Sequence, residues 1–292
     1  MRKLKKPPFE AIELYDESVA GWPDEAVRRK FEQNRYAITN ACSAFDRETL
    51  SETWCRLPRA RHGNEQDIVA GTLTKAELVA LYDVGVVRSK GKPRTIYDTI
   101  KLSAHGECPY CGGIGEMGED GEAGTVDHYL PKSRFPAYSI LPLNLVPACA
   151  VCNKGMGSGF PTDEKLQPLH PYLDKSHFFN EKWTTASVEE GDPIVVNFGV
   201  NPPAIWSDKD RQRVKQHFLD CNLGSRYRAR VPQELSTVVA FRKKALKSLS
   251  PDEFSQNLLE VAQDEGLPIN GWKRTLYCAL AASEWFCRKE FA

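Results

Sequence analysis

Two cysteine pairs, Cys108-Pro109-Tyr110-Cys111 and Cys149-Ala150-Val151-Cys152, constrain this chain more than any other feature. A tight turn brings thiols at this spacing together, and two such turns complete a tetrahedral four-thiolate zinc site. A site of that kind is closed, so it holds a fold and does no chemistry itself. A redox C-x-x-C explains only one of the pairs. The other cysteines, Cys42, Cys55, Cys221, Cys278 and Cys287, stand alone, several among apolar helical neighbours, and read as small buried fillers. Nine cysteines is an odd number for a disulfide framework, which favours a reducing compartment. The amino end, Met1 to Pro8, lacks the apolar stretch and cleavage site of a secretory signal, and no long apolar run follows. A cytoplasmic protein with no membrane contact is expected.

The chain of 292 residues carries 39 basic and 39 acidic side chains, so no field extends over the whole surface, and any polyanion must be met locally. Residues 1–105 read as mostly helical. Asp24 caps a helix reaching about Leu50, with Val27, Phe31, Ile38 and Ala41 on its apolar side, and Thr74 with Glu77 spells a capping box. From 106 to 160 glycines crowd at Gly112, Gly113, Gly115, Gly118, Gly121 and Gly124, and short extended runs replace the helical period. Residues 161–205 form a proline-rich connector with one strand at 194–198. From 206 to 292 helices return, introduced near Ser207, Ser250 and Asn270, the last presenting Trp272, Leu276, Leu280 and Phe286 on one face. The fold class is therefore α+β, a mainly helical protein around a small zinc-stabilised insert.

The residues between the cysteine pairs carry chemistry. His128 has an imidazole that titrates near neutrality and can take a proton from water, which attack on a phosphodiester requires. Asp127 and Asn153 offer oxygen donors suited to a hard divalent cation, which would bind a phosphate oxygen and stabilise the leaving alkoxide. Consecutive strand residues point to opposite faces, so Asp127 and His128 address one ion only if the strand ends or twists there, and Pro131 makes an early end plausible.

These residues, Asp127-His128, then Asn144, then Cys149 to Asn153, resemble the HNH endonuclease family across 108–156. The ββα-metal motif of that family has a first strand with Asp-His, a second with Asn, and then a helix. The resemblance implies that His128 is the general base, that Asp127 and Asn153 are the metal ligands, and that Asn144 holds the loop and orients the base. Asn153 stands where many relatives have His, and its amide oxygen favours Mg²⁺ or Mn²⁺ over nitrogen-seeking metals. Zinc-binding members bracket the motif with the same two cysteine pairs. Cys152 is next to Asn153, so fixing its sulfur fixes the start of the catalytic helix.

The flanks, including Pro168-Leu169-His170-Pro171-Tyr172-Leu173-Asp174, are similar to HNH subunits of Septu-type and retron-linked anti-phage systems. That likeness implies an ABC-type ATPase partner. The chain itself has no phosphate-binding loop, so ATP hydrolysis belongs elsewhere.

Lys132, Arg134 and Lys154 flank the site as candidate phosphate contacts. Two basic clusters, Arg211, Arg213, Lys215, Arg226, Arg228 and Arg230, and then Arg242, Lys243, Lys244 and Lys247, are candidate polyanion patches. His62, His105, His170, His177 and His217 are left as surface or satisfied core positions. The expected activity is metal-dependent hydrolysis of nucleic-acid phosphodiesters, DNA ahead of RNA, in anti-phage defence. The competing reading is a zinc-stabilised nucleic-acid- or protein-binding module without turnover.

Overall fold

The structure, a computed structural model, describes residues 1–113 and 124–291; Gly115, Gly118 and Gly121 of the glycine-rich stretch lie outside the described residues. These residues fall into two compact units. One contains 3–109 and 124–174; the other contains 1–2, 110–113 and 175–291. The expected insert thus shares a unit with the amino-terminal helices, apart from residues 110–113, and the expected connector divides after residue 174.

The first unit opens with three helices, α1 (Glu13–Ala20), α2 (Glu25–Gln33) and α3 (Arg35–Ser51). Asp24 caps α2 by accepting from the Val27 amide. The single helix expected from Asp24 to Leu50 is broken at Asn34. The buried Asn34 side chain bonds the Lys30 carbonyl, the Thr72 hydroxyl and the Thr72 amide, and so turns the chain toward a short hairpin. That hairpin, β1 (Ile68–Ala70) and β2 (Leu73–Thr74), is too short to leave an alternating pattern in the sequence. Helix α4 (Lys75–Tyr82) follows with the expected capping box, and α5 (Lys92–Leu102) starts at Pro93 in its first turn.

Next come β3 (Thr125–His128) and β4 (Leu145–Ala148), paired antiparallel with Asp127 opposite Val146 and His128 opposite Leu145. Helix α6 (Ala150–Met156) leaves directly from β4, capped by the Cys149 sulfur. An aromatic cluster supports this hairpin: Tyr129 lies 5.2 Å from Trp54 and 4.2 Å from His170 between ring centres. Residues 168–174 hold the same end of the hairpin through hydrogen bonds. Tyr129 donates to the Pro168 carbonyl at 3.0 Å and Tyr172 to the Leu145 carbonyl at 3.1 Å. A four-residue strand pair cannot stand alone in water, and these bonds with the buried rings supply what it lacks.

The second unit carries α7 (His177–Asn180), the hairpin β5 (Thr184–Glu189) with β6 (Val195–Val200), and then α8 (Asp208–Asp220), α9 (Leu223–Lys243), α10 (Pro251–Ala262), α11 (Trp272–Ala282) and α12 (Glu284–Arg288). Ser207 and Ser250 cap their helices as expected. Asn270 does not: its Oδ1 accepts from the Trp183 and Thr184 amides while Nδ2 donates to the Glu181 carbonyl, so it clamps the start of β5. The apolar face read as one helix is two. Ser283 ends α11 and caps α12, and Phe286 packs from the second piece while Trp272 is only half-buried. Among the described residues no helix is long and apolar enough to cross a membrane.

Candidate metal centre and the strand-helix site

Cys108, Cys111, Cys149 and Cys152 are all buried, and their sulfurs lie within 4.8 Å of one another. Four thiolates around zinc at about 2.3 Å sit about 3.8 Å apart, so the cluster can hold a structural zinc ion with little movement. The chain leaves Cys111 through Gly112 at φ +71°, a left-handed turn that glycine adopts without strain. Of the other cysteines, Cys42, Cys221 and Cys287 are buried, as their reading as fillers expects, whereas Cys55 and Cys278 are only half-buried.

Beside the cluster, the pleat of β3 sorts the expected catalytic residues. Burial alternates along the strand, with Thr125 and Asp127 half-buried on one face and Val126 and His128 buried on the other. Asn153 joins the Asp127 face, because its Nδ2 donates to the Thr125 hydroxyl at 2.8 Å. Its Oδ1, the atom able to ligate a cation, makes no hydrogen bond among the described residues. Asp127 Oδ1 accepts from the His128 amide at 2.7 Å. The strand does end at His128, as Pro131 suggested, yet its pairing stays regular to that residue, so Asp127 and His128 keep opposite faces.

His128 points inward. A carbonyl can only accept, so the 2.8 Å bond to Ser139 O puts the proton on Nε2 and leaves the lone pair of the neutral ring on Nδ1. The ring meets Tyr82 edge-on at 4.4 Å. Burial, more than the Ser139 carbonyl and Asp83 can offset and with Lys132 adding to it, pushes the imidazole down to about 4. Burial, followed by Tyr97, Asp83 and Asp127, pushes the Tyr82 hydroxyl well above its ordinary range. Tyr82 and Asp83, at the end of α4, are neighbours that sequence spacing does not reveal.

Asn144 is completely buried. It accepts from the Leu130 amide and donates to the Leu130 and Tyr138 carbonyls, which closes the loop between the two strands. That loop carries Ser139, so Asn144 fixes the carbonyl that orients His128.

The candidate phosphate contacts differ in their surroundings. Lys132 pairs with Asp83 at 2.5 Å and lies 4.8 Å over the Tyr82 ring. Arg134 is half-buried, and Lys154 is exposed on α6. The two basic clusters are not continuous solvent patches. Arg213 is fully buried over Phe178, Arg242 holds the Leu246 and Leu249 carbonyls over Phe254, and Arg226 donates to Cys111 Sγ and the Cys221 carbonyl. A planar guanidinium stacks and donates in several directions at once, so the fold absorbs these three. Among the unassigned histidines, His170 and His217 are buried, and His217 Nε2 bonds the Tyr110 carbonyl at 2.8 Å.

Fold and site define a mixed helix-and-sheet protein, mainly helical, with a buried four-cysteine cluster able to hold zinc. No family model matches the chain, and no solved structure matches it. It is similar to Protein ea31 of Escherichia phage lambda, 38% identical over 234 residues that cover 76% of this chain and 77% of the phage protein. The chain belongs to the family of that protein.

Proposed function

We propose that this protein is a metal-dependent HNH endonuclease that hydrolyses nucleic-acid phosphodiesters, DNA ahead of RNA. The observation that carries the reading is the β3–β4 hairpin running straight into α6, with Asp127 and Asn153 on one face, His128 on the other and Asn144 closing the loop between them. In this reading Cys108, Cys111, Cys149 and Cys152 hold structural zinc, which fixes the start of α6 and therefore Asn153. Asp127 and Asn153 would hold Mg²⁺ or Mn²⁺. That cation would supply positive charge at the scissile phosphate and the leaving oxygen.

His128, neutral at physiological pH, takes the proton of the attacking water at Nδ1. In-line hydrolysis puts the attacking water and the leaving oxygen on opposite sides of phosphorus. His128 and the Asp127–Asn153 pair, which would hold the cation, come from opposite faces of the strand end. Asn144 and Ser139 keep the imidazole in the required tautomer. Lys154 and Arg134 contact phosphates, and Lys132, held by Asp83, lends positive charge beside them. We further propose action in anti-phage defence beside an ABC-type ATPase, which would provide nucleotide hydrolysis.

One observation favours the second reading, a zinc-stabilised nucleic-acid- or protein-binding module: His128 is only 9% exposed. Incubation of the zinc-loaded protein with plasmid, single-stranded DNA and total RNA, each with Mg²⁺, Mn²⁺ or EDTA, separates the two. Cleavage that EDTA abolishes supports the nuclease. Retention of the nucleic acid without cleavage in any arm supports the binding module.

A further inference from the structure

The sequence places Arg226 in a basic run that reads as a candidate polyanion patch, and the fold uses it otherwise. Its side chain leaves the first turn of α9, anchors one guanidinium nitrogen on the Cys221 carbonyl at 3.1 Å, and donates from the other to Cys111 Sγ at 3.4 Å. Two bonds in different directions fix the planar group, so the contact with sulfur is set by the fold. A second, separate contact comes from the preceding helix, where buried His217 bonds the Tyr110 carbonyl inside the Cys108–Cys111 turn at 2.8 Å.

Four thiolates around Zn²⁺ carry a net charge of about −2, which is costly to bury without compensation. Hydrogen bonds to coordinating sulfur spread that charge, and outer partners of this kind tune metal affinity. We propose that Arg226 is a positioning residue for the four-cysteine centre. Its fixed cation neutralises part of the thiolate charge through Cys111 and thereby sets how long zinc is retained. His217 holds the turn that presents Cys111 to it. The inference rests on the zinc reading of the cysteine cluster and not on the nuclease reading.

The test uses the full-length protein and measures zinc content and the rate of zinc transfer to a chromogenic chelator, for wild type and for Arg226→Gln, Arg226→Lys and Arg228→Gln. Arg228 is exposed two residues further along the same helix, so its variant makes the same charge change away from sulfur. The expected result is one zinc per wild-type chain and roughly tenfold faster release from Arg226→Gln, with Arg226→Lys restoring most of the retention and Arg228→Gln matching wild type. Cobalt(II) in place of zinc gives a readout that a merely structural role would not move: the sulfur-to-cobalt charge-transfer band shifts in Arg226→Gln and less in Arg226→Lys. If Arg226→Gln does not fold, the Arg226→Lys band against wild type still decides. Unchanged release and an unchanged band in a zinc-loaded Arg226→Gln protein overturn the proposal alone. A wild-type chain that takes up no zinc overturns the zinc reading beneath it.

Discussion

The Asn153 amide nitrogen sits 2.8 Å from the Thr125 hydroxyl, so the helix that follows the second strand is fastened to the beginning of the first. This bond also turns the Asn153 oxygen, the cation-binding atom in our reading, away from Thr125. Thr125→Val keeps the β-branched shape and removes the acceptor. It should cost about 1 kcal/mol of stability and weaken the Mg²⁺ dependence of cleavage before lowering the maximal rate. A magnesium titration at fixed DNA concentration, with a denaturant melt alongside, measures both. An unshifted magnesium midpoint contradicts the role given to this bond.

Asn144 shows what closing a loop with one side chain demands. Asn144→Ala strands the Leu130 amide and the Leu130 carbonyl, while the Tyr138 carbonyl keeps its bond from the Leu141 amide, and should destabilise the first unit by about 3 kcal/mol. Urea unfolding followed by tryptophan fluorescence reads the loss. A variant as stable as wild type would mean that water enters and satisfies those groups.

Cys149 has two duties, capping α6 and supplying a thiolate, and Cys149→Ser separates them because serine caps helices well but is a poor zinc ligand. We expect the variant to lose about one bound zinc per chain and to melt earlier. Adding a strong chelator to wild type should bring its melting temperature down to that of the variant. Undiminished zinc content refutes the four-cysteine site.

At Glu77, burial pushes the carboxyl up, but the Lys30 ammonium at 2.7 Å and the Thr74 donors outweigh it and hold the group below the ordinary carboxylate range. A depressed carboxylate contributes stability above its unfolded pKa and loses it as the pH falls through the folded one. Glu77→Gln should therefore be less stable than wild type at neutral pH, and the gap should close on acidification through the carboxylate range. Thermal melts across that range test it; a pH-independent gap excludes the charge effect.

What the sequence discloses and what it withholds divides by range along the chain. The Thr74–Glu77 and Ser250–Glu253 boxes, the Asp24 and Ser207 caps and the two cysteine pairs are local patterns, and each stands where its spacing indicates. The break at Asn34 depends on Thr72, the clamp at Asn270 on Trp183 and Thr184, and the placing of Arg226 on Cys111. These partners lie tens of residues away, and no periodicity encodes them. The same holds for Tyr82 and Asp83 beside His128 and Lys132, which come from a helix whose sequence announces only its capping box.

His128 carries the central claim. Plasmid nicking by zinc-loaded wild type and zinc-loaded His128→Ala, at equal zinc content, in Mg²⁺ and well below both melting temperatures, tests it most directly. General-base catalysis contributes on the order of a hundredfold or more, so wild type should nick the plasmid and the variant should fall to background. Equal nicking by the two proteins would contradict the assignment of the base and, with it, the mechanism built on that strand.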